Sequence, residues 1–163
     1  MIILGLDPGL ATTGFALLEY SGSKFKVLNY GVISTPASQP FEARLACIHD
    51  DLRQLFIHYD ISQVAIEELF FNKNVKTAIS VAHARGVMIL VAQSYSAQIA
   101  SYTPPQVKSS VCGYGKAEKK QVQYMVKQLL NLETIPKPDD AADALALAIC
   151  HAHSYKYSKA KVS

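Results

Sequence analysis

The sequence predicts a mixed α/β domain, a sheet flanked by helices, and three observations predict it. The chain opens with short apolar runs separated by turn residues, the pattern of strands. From Phe41 the apolar spacing changes to threes and fours, the pattern of helices. Beyond that point, helix-like and strand-like segments alternate.

The elements follow in order. Ile2 to Leu6 is a short apolar run and reads as a buried strand. Pro8-Gly9 signals a turn, and Gly14 to Leu18 reads as a second strand. Ser21-Gly22-Ser23 is a hairpin turn before a third strand, Lys26 to Ile33, so the chain opens with an antiparallel meander. Ser34 to Pro40 is a polar loop. Leu45, Ile48, Leu52 and Leu55 then mark an amphipathic helix over 41–58. Gln63 to Glu67 holds Val64-Ala65-Ile66, a buried strand that follows a helix and so lies parallel to the first. Asn74 to Gln93 is an Ala-rich helix, apolar on more than one face, suited to a core or to a dimer contact. Gln98 to Tyr102 is a fifth strand. Pro104 to Val111 and Glu118 to Leu130 are helices separated by Gly113-Tyr114-Gly115, and Asp139 to Tyr155 is the last helix. The expectation is one domain over 1–155 with a five-stranded mixed sheet, then a basic, unstructured tail over 156–163.

Composition narrows the function classes. The net charge of +3 permits an anionic partner without requiring one. Every apolar stretch looks too short or too charged to span a membrane, and the N-terminus reads as a strand, not as a signal peptide. Cys47, Cys112 and Cys150 are scattered without metal-ligand spacing, which fits reduced thiols in a cytoplasmic protein. None of the five histidines stands in a catalytic pattern. His151 and His153 diverge on a helix, and surface or satisfied-core roles are the default.

The carboxylates are more informative. Asp7 ends the first strand, and Glu67-Glu68 ends the fourth. Ligands collect at the carboxyl ends of strands in such sheets. Strand residues alternate faces, so only one of the two glutamates can point at a shared site. Asp140 and Asp143 lie three apart and share a helix face, while Asp139, after Pro138, stands where an N-cap belongs. Acids at a helix start favour its dipole, and that bland account covers the three aspartates taken alone. Acids from three segments at one sheet end would repel and retain protons without a cation. Mg²⁺ suits oxygen ligands and keeps positions open for phosphate, and paired ions serve phosphoryl transfer.

A set of motifs runs in order along the chain: Leu4-Gly5-Leu6-Asp7-Pro8-Gly9, Thr13-Gly14, Ala65-Ile66-Glu67, Ala84-Arg85-Gly86, Gln106-Val107-Lys108, Gly113-x-Gly115-x-Ala117-Glu118-Lys119-x-Gln121-Val122 and Asp140-Ala141-Ala142-Asp143-Ala144-Leu145-Ala146. The chain from Ile2 to about His153 resembles the RuvC family of bacterial Holliday-junction resolvases. The resemblance implies an RNase H-like fold and a homodimer that binds four-way junction DNA. It implies paired, symmetric, metal-dependent nicks in recombination and repair, leaving 5′-phosphate and 3′-hydroxyl ends. It carries over Asp7, Glu67, Asp140 and Asp143 as catalytic metal ligands and selects Glu67 over Glu68. Two Mg²⁺ ions per site are implied, with Mn²⁺ as a substitute, and a branch-migration motor complex as partner.

Phe70 would correspond to an aromatic near the junction centre, with core packing as the plain alternative for Phe70-Phe71. Lys108 and Lys119 would lie beside the scissile phosphate, with Lys120 and Lys73 as further DNA contacts. The Asn74 to Gln93 helix would form the dimer contact. Three rivals stand beside this. Gly5-Leu6-Asp7-Pro8-Gly9-x-x-Thr12-Thr13-Gly14 also resembles the phosphate loop of actin-like ATPases and sugar kinases, but those need a second domain copy that this chain lacks. A junction-binding protein without cleavage would be expected to lack an acid. An RNase H-like nuclease or transposase with another substrate would keep the fold.

Overall fold

The computed structural model describes residues 1–70 and 74–160, with side chains through Tyr155. Its order is β1 (Ile2–Asp7), β2 (Thr12–Ser21), β3 (Lys24–Ser34), α1 (Phe41–His58), β4 (Ile61–Glu67), α2 (Val75–Ser94), β5 (Gln98–Tyr102), α3 (Pro104–Cys112), α4 (Lys119–Leu129) and α5 (Asp139–Ala160). The strands form one sheet in the order β3-β2-β1-β4-β5. β1 pairs antiparallel with β2, and β2 with β3. β1 pairs parallel with β4, and β4 with β5. This is the expected five-stranded mixed sheet, in RNase H-like arrangement. The hairpin between β2 and β3 turns on Gly22 (φ 54°) and Ser23 (φ 71°). Two successive positive φ values suit a tight turn whose twist matches the strands.

Side-chain alternation splits the core. Leu4, Leu6, Leu17, Val64 and Ile66 join α1 and α2 on one face of the sheet. Ile3, Ala16, Leu18 and Ala65 join α3, α4 and α5 on the other. Asp7 continues the series Ile3, Gly5, and Glu67 continues the series through Ala65. Both acids therefore belong to the face that carries α5.

Close approach of α5 depends on missing side chains. A Cβ on Gly5 would collide with the Ala144 carbonyl, and one on Gly14 with the Asp140 carbonyl. Gly14 is the register partner of Asp7. The helix carries Ala141, Ala142, Ala144 and Ala148 along this stretch, all essentially inaccessible. Small residues on both sides bring the start of α5 against the ends of β1 and β2.

Three expectations differ from the structure. Asp139 is the first residue of α5 itself, and the Pro138 carbonyl accepts from the Ala141 and Ala142 amides. The helix also continues past Tyr155 to Ala160. Val75–Ser94 is long and apolar enough to cross a membrane, although no run was expected to be. Here α2 packs Ala84, Met88, Val91 and Ala92 into the core with α1 and β5.

Candidate active site

The four acids meet where the carboxyl ends of β1 and β4 face the first turn of α5. Asp7 is largely buried, and its pKa rises to about 8. Burial is the largest cause, followed by the charges of Glu67, Asp143 and Asp140, with Lys119 opposing. Glu67 is also raised, by burial and then by Asp143, while its hydrogen bond with Asp7 and the charge of Lys119 pull it down. Asp143 is raised by burial against the pull of Lys119. Glu68, by contrast, is exposed.

Lys119 is the one cation that reaches this cluster among the described residues. Its Nζ lies 3.2 Å from Asp143 Oδ2 and 3.5 Å from Asp139 Oδ2. Burial alone would lower its pKa, but the two aspartates outweigh that and raise it. Asp139 stands apart from the other acids. Gln123 Nε2 donates to it at 3.0 Å, and that bond, with Lys119, lowers its pKa. It is a satisfied helix-start acid, as its position suggested.

Among the described residues no three acids stand in ready-made ligand geometry. The chemistry of the set nevertheless fits a hard divalent cation. Four carboxylates converge, and burial, with repulsion between the charges, makes Asp7, Glu67 and Asp143 hold their protons more tightly than usual. A dication would remove that repulsion and release the protons.

A cleft of about 220 Å³ opens beside the acids, lined by Glu67, Asp143, Lys108 and Lys119, with apolar walls from Val107 and Val122. Its polar lining combines two cations with two acids, and Lys119 pairs directly with Asp143. Of the basic residues singled out from sequence, the structure brings Lys108 and Lys119 here. Lys120 instead lines a separate groove with Tyr114 and Tyr124. Phe70 lies just beyond β4 and is 52% exposed, so it is not a core residue. Lys73 and Phe71 fall outside the described residues.

Sequence reasoning did not single out Arg85 as a site residue. From α2 its Nε donates to the Glu67 carbonyl at 3.0 Å, and its Nη2 to Ser101 Oγ at 2.7 Å. The guanidinium thus pins the end of β4, where the glutamate emerges, to β5. The signal was an arginine amid an Ala-rich helix, where a bulky cation needs polar partners.

The geometry can be set beside known proteins. The family model described as crossover junction endodeoxyribonuclease RuvC matches residues 3–151. The curated RuvC of Alkaliphilus oremlandii is 55% identical over 159 residues, covering 98% of this chain and 97% of the relative. The RuvC of Clostridioides difficile is 53% identical over 159 residues, covering 98% and 94%. A solved structure of Thermus thermophilus RuvC with its Holliday junction substrate superposes at TM-score 0.93 with 31% identity, over 97% of this chain and 96% of that one. With its acids, cleft and fold all in place along the matched length, this chain belongs to the RuvC family of crossover junction endodeoxyribonucleases.

Proposed function

We propose that this chain resolves four-way DNA junctions by Mg²⁺-dependent hydrolysis of one phosphodiester in each of two strands. The observation that carries the reading is the convergence of Asp7, Glu67, Asp140 and Asp143 beside a cleft that also holds Lys108 and Lys119. The four carboxylates would hold the metal, two ions in each site, with Mn²⁺ able to replace Mg²⁺. Such ions lower the pKa of water for in-line attack and offset charge on the leaving oxygen. The chain's own residues do the rest. Asp7, whose pKa is raised by the charges of the other three, would be the central ligand. Lys119 and Lys108 hold the phosphate from the cleft wall and offset its developing charge. Val107 and Val122 exclude water from one side. The 5′-phosphate and 3′-hydroxyl ends follow from the family resemblance.

Paired nicks need two sites, and α2 offers a surface for pairing. Val75, Ile79 and Leu90 are 64%, 48% and 63% exposed. With Gly86, where an added Cβ would meet open space, they fall within about 60° of one helix face at 100° per residue. An apolar stripe with a glycine suits close contact with a second copy. The cysteines are free thiols, in keeping with the cytoplasm. Assembly with a branch-migration motor rests on the family resemblance alone.

The test is strand-by-strand cleavage of an end-labelled four-way junction with Mg²⁺. The native chain should give paired, symmetric nicks. Asp7→Asn should bind the junction yet lose several kcal/mol of charge stabilisation, about 10³-fold in rate. Leu90→Glu should sediment as a monomer and lose the pairing of nicks. Tight binding without nicks under either Mg²⁺ or Mn²⁺ would overturn the reading.

A further inference from the structure

Accepting that nuclease reading, we infer that a second groove, beside the Gly9–Thr12 turn, takes a backbone phosphate of the same DNA strand on the far side of the carboxylates, with Lys76 and Arg44 as its cations. The groove measures about 550 Å³ and is lined by that turn, by Arg44 of α1, and by Lys76, Thr77 and Ser80 of α2. Asp140 also lines it and, among the described residues, is its sole acid.

The placement is the first argument. The cleft with Lys108 and Lys119 is walled by helices on the α5 face of the sheet. The second groove is walled by α1 and α2, on the opposite face. The acids lie between them, at the sheet's end, with Asp143 in one lining and Asp140 in the other. A strand that crosses the acids with its scissile phosphate at the metal must continue on both sides. The phosphates on both sides then meet cations.

The state of the cations is the second argument. Among the described residues neither Lys76 nor Arg44 forms an ion pair. Arg44 is held by neutral partners: Nε donates to Thr35 Oγ1 at 2.9 Å, and Nη2 to the Thr35 carbonyl at 3.3 Å. Thr35 is buried and its hydroxyl donates to the Leu10 carbonyl in the turn itself. The guanidinium is therefore oriented while its charge stays uncompensated, the arrangement that suits a phosphate. Thr77 and Ser80 add hydroxyls along the same wall. A contact to phosphate carries no base information, so the site should position a strand without selecting its sequence.

Salt dependence of junction binding tests this, measured from 50 to 200 mM KCl without divalent metal so that no cleavage intervenes. Each neutralised phosphate contributes about 0.9 to the slope of log affinity against log salt. Lys76→Ala, at an exposed position, should bind more weakly on every junction sequence and show a slope shallower by about 1. Over that fourfold salt range its affinity should fall about 3.5-fold less than the native chain's. Lys76→Arg should keep the native slope. Lys24→Ala, at the far end of the β2–β3 hairpin, serves as control and should match the native chain. A native slope in Lys76→Ala, or an equal loss in Lys24→Ala, would overturn the inference. A native chain that binds but does not cut with Mg²⁺ would sink the nuclease reading separately, and the slopes would still decide the groove.

Discussion

The two ends of α5 handle buried polarity in opposite ways. Near its C-terminal half, His151 is 5% exposed and sits in a closed chain of neutral hydrogen bonds. Gln63 Nε2 donates to Gln98 Oε1 at 3.1 Å, which turns Gln63 Oε1 toward His151 Nε2 at 3.0 Å. Nε2 therefore carries the hydrogen, and Nδ1 accepts from the Tyr102 hydroxyl at 2.8 Å. Burial lowers the His151 pKa, so the ring stays neutral. At the N-terminal end, Asp140 and Asp143 meet Asp7 and Glu67, and burial with mutual repulsion raises the pKa of Asp7 to about 8. One end has matched donors and acceptors and asks for nothing more. The other holds an excess of acceptors and negative charge that only a cation satisfies. The difference separates a structural polar cluster from a functional one.

Changes at either end should break this contrast in distinct ways. The largest effect is expected from Gly14→Ala. Its methyl would push the Asp140 carbonyl and the start of α5 off the sheet. Overpacking of this kind costs about 1–3 kcal/mol. Denaturant unfolding should show that loss, and junction cleavage should fall well beyond it, because ligand placement tolerates less movement than stability does.

His151→Leu should act through stability alone. It leaves Tyr102 and Gln63 without their buried partner, at a cost of about 1–3 kcal/mol. Thermal melting should drop by several degrees, while single-turnover cleavage well below the melting point should stay within about twofold, since no acid has moved. A large loss of cleavage with unchanged melting would refute the division.

The narrowest effect, confined to the metal-free protein, is a pH slope at the acid end. The folded-state pKa of Asp7 is about 8, above its ordinary value of 3.8. The folded chain thus binds this proton more tightly than the unfolded chain does. Without divalent metal, stability should fall as pH rises between those two values. Glu67 and Asp143, also raised, act in the same sense. Asp7→Asn should flatten the slope and be more stable than the native chain at pH 8. His151, lowered below its ordinary 6.5, adds the reverse dependence at acid pH: stability falls as pH drops through its unfolded value.

Much of this was legible from particular residues. The switch from paired strands to three-and-four spacing at Phe41 marks α1, and Val64-Ala65-Ile66 marks β4, because both periods follow from backbone geometry. Asp7 announced itself as a charge at the end of a buried run. Strand alternation left Glu67 and Glu68 open and the family resemblance chose Glu67; the register gives the physical reason, since Glu67 continues the Ala65 face that α5 covers. Lys120 follows Lys119 in sequence yet faces another groove, because neighbours on a helix point about 100° apart. The Arg85 tie to Glu67 spans separate elements, and no local spacing encodes it.

By itself, then, the sequence determined the elements, their alternation and the acids at their ends. These depend on local periodicity and on residue chemistry, which the chain carries at every position. The tertiary structure alone decided that α5 settles onto Gly5 and Gly14, that Arg85 ties the end of β4 to β5, and that burial beside the other acids raises the pKa of Asp7. Those outcomes depend on contacts between residues far apart in the chain, where close packing and charge repulsion act through distances that sequence spacing does not contain.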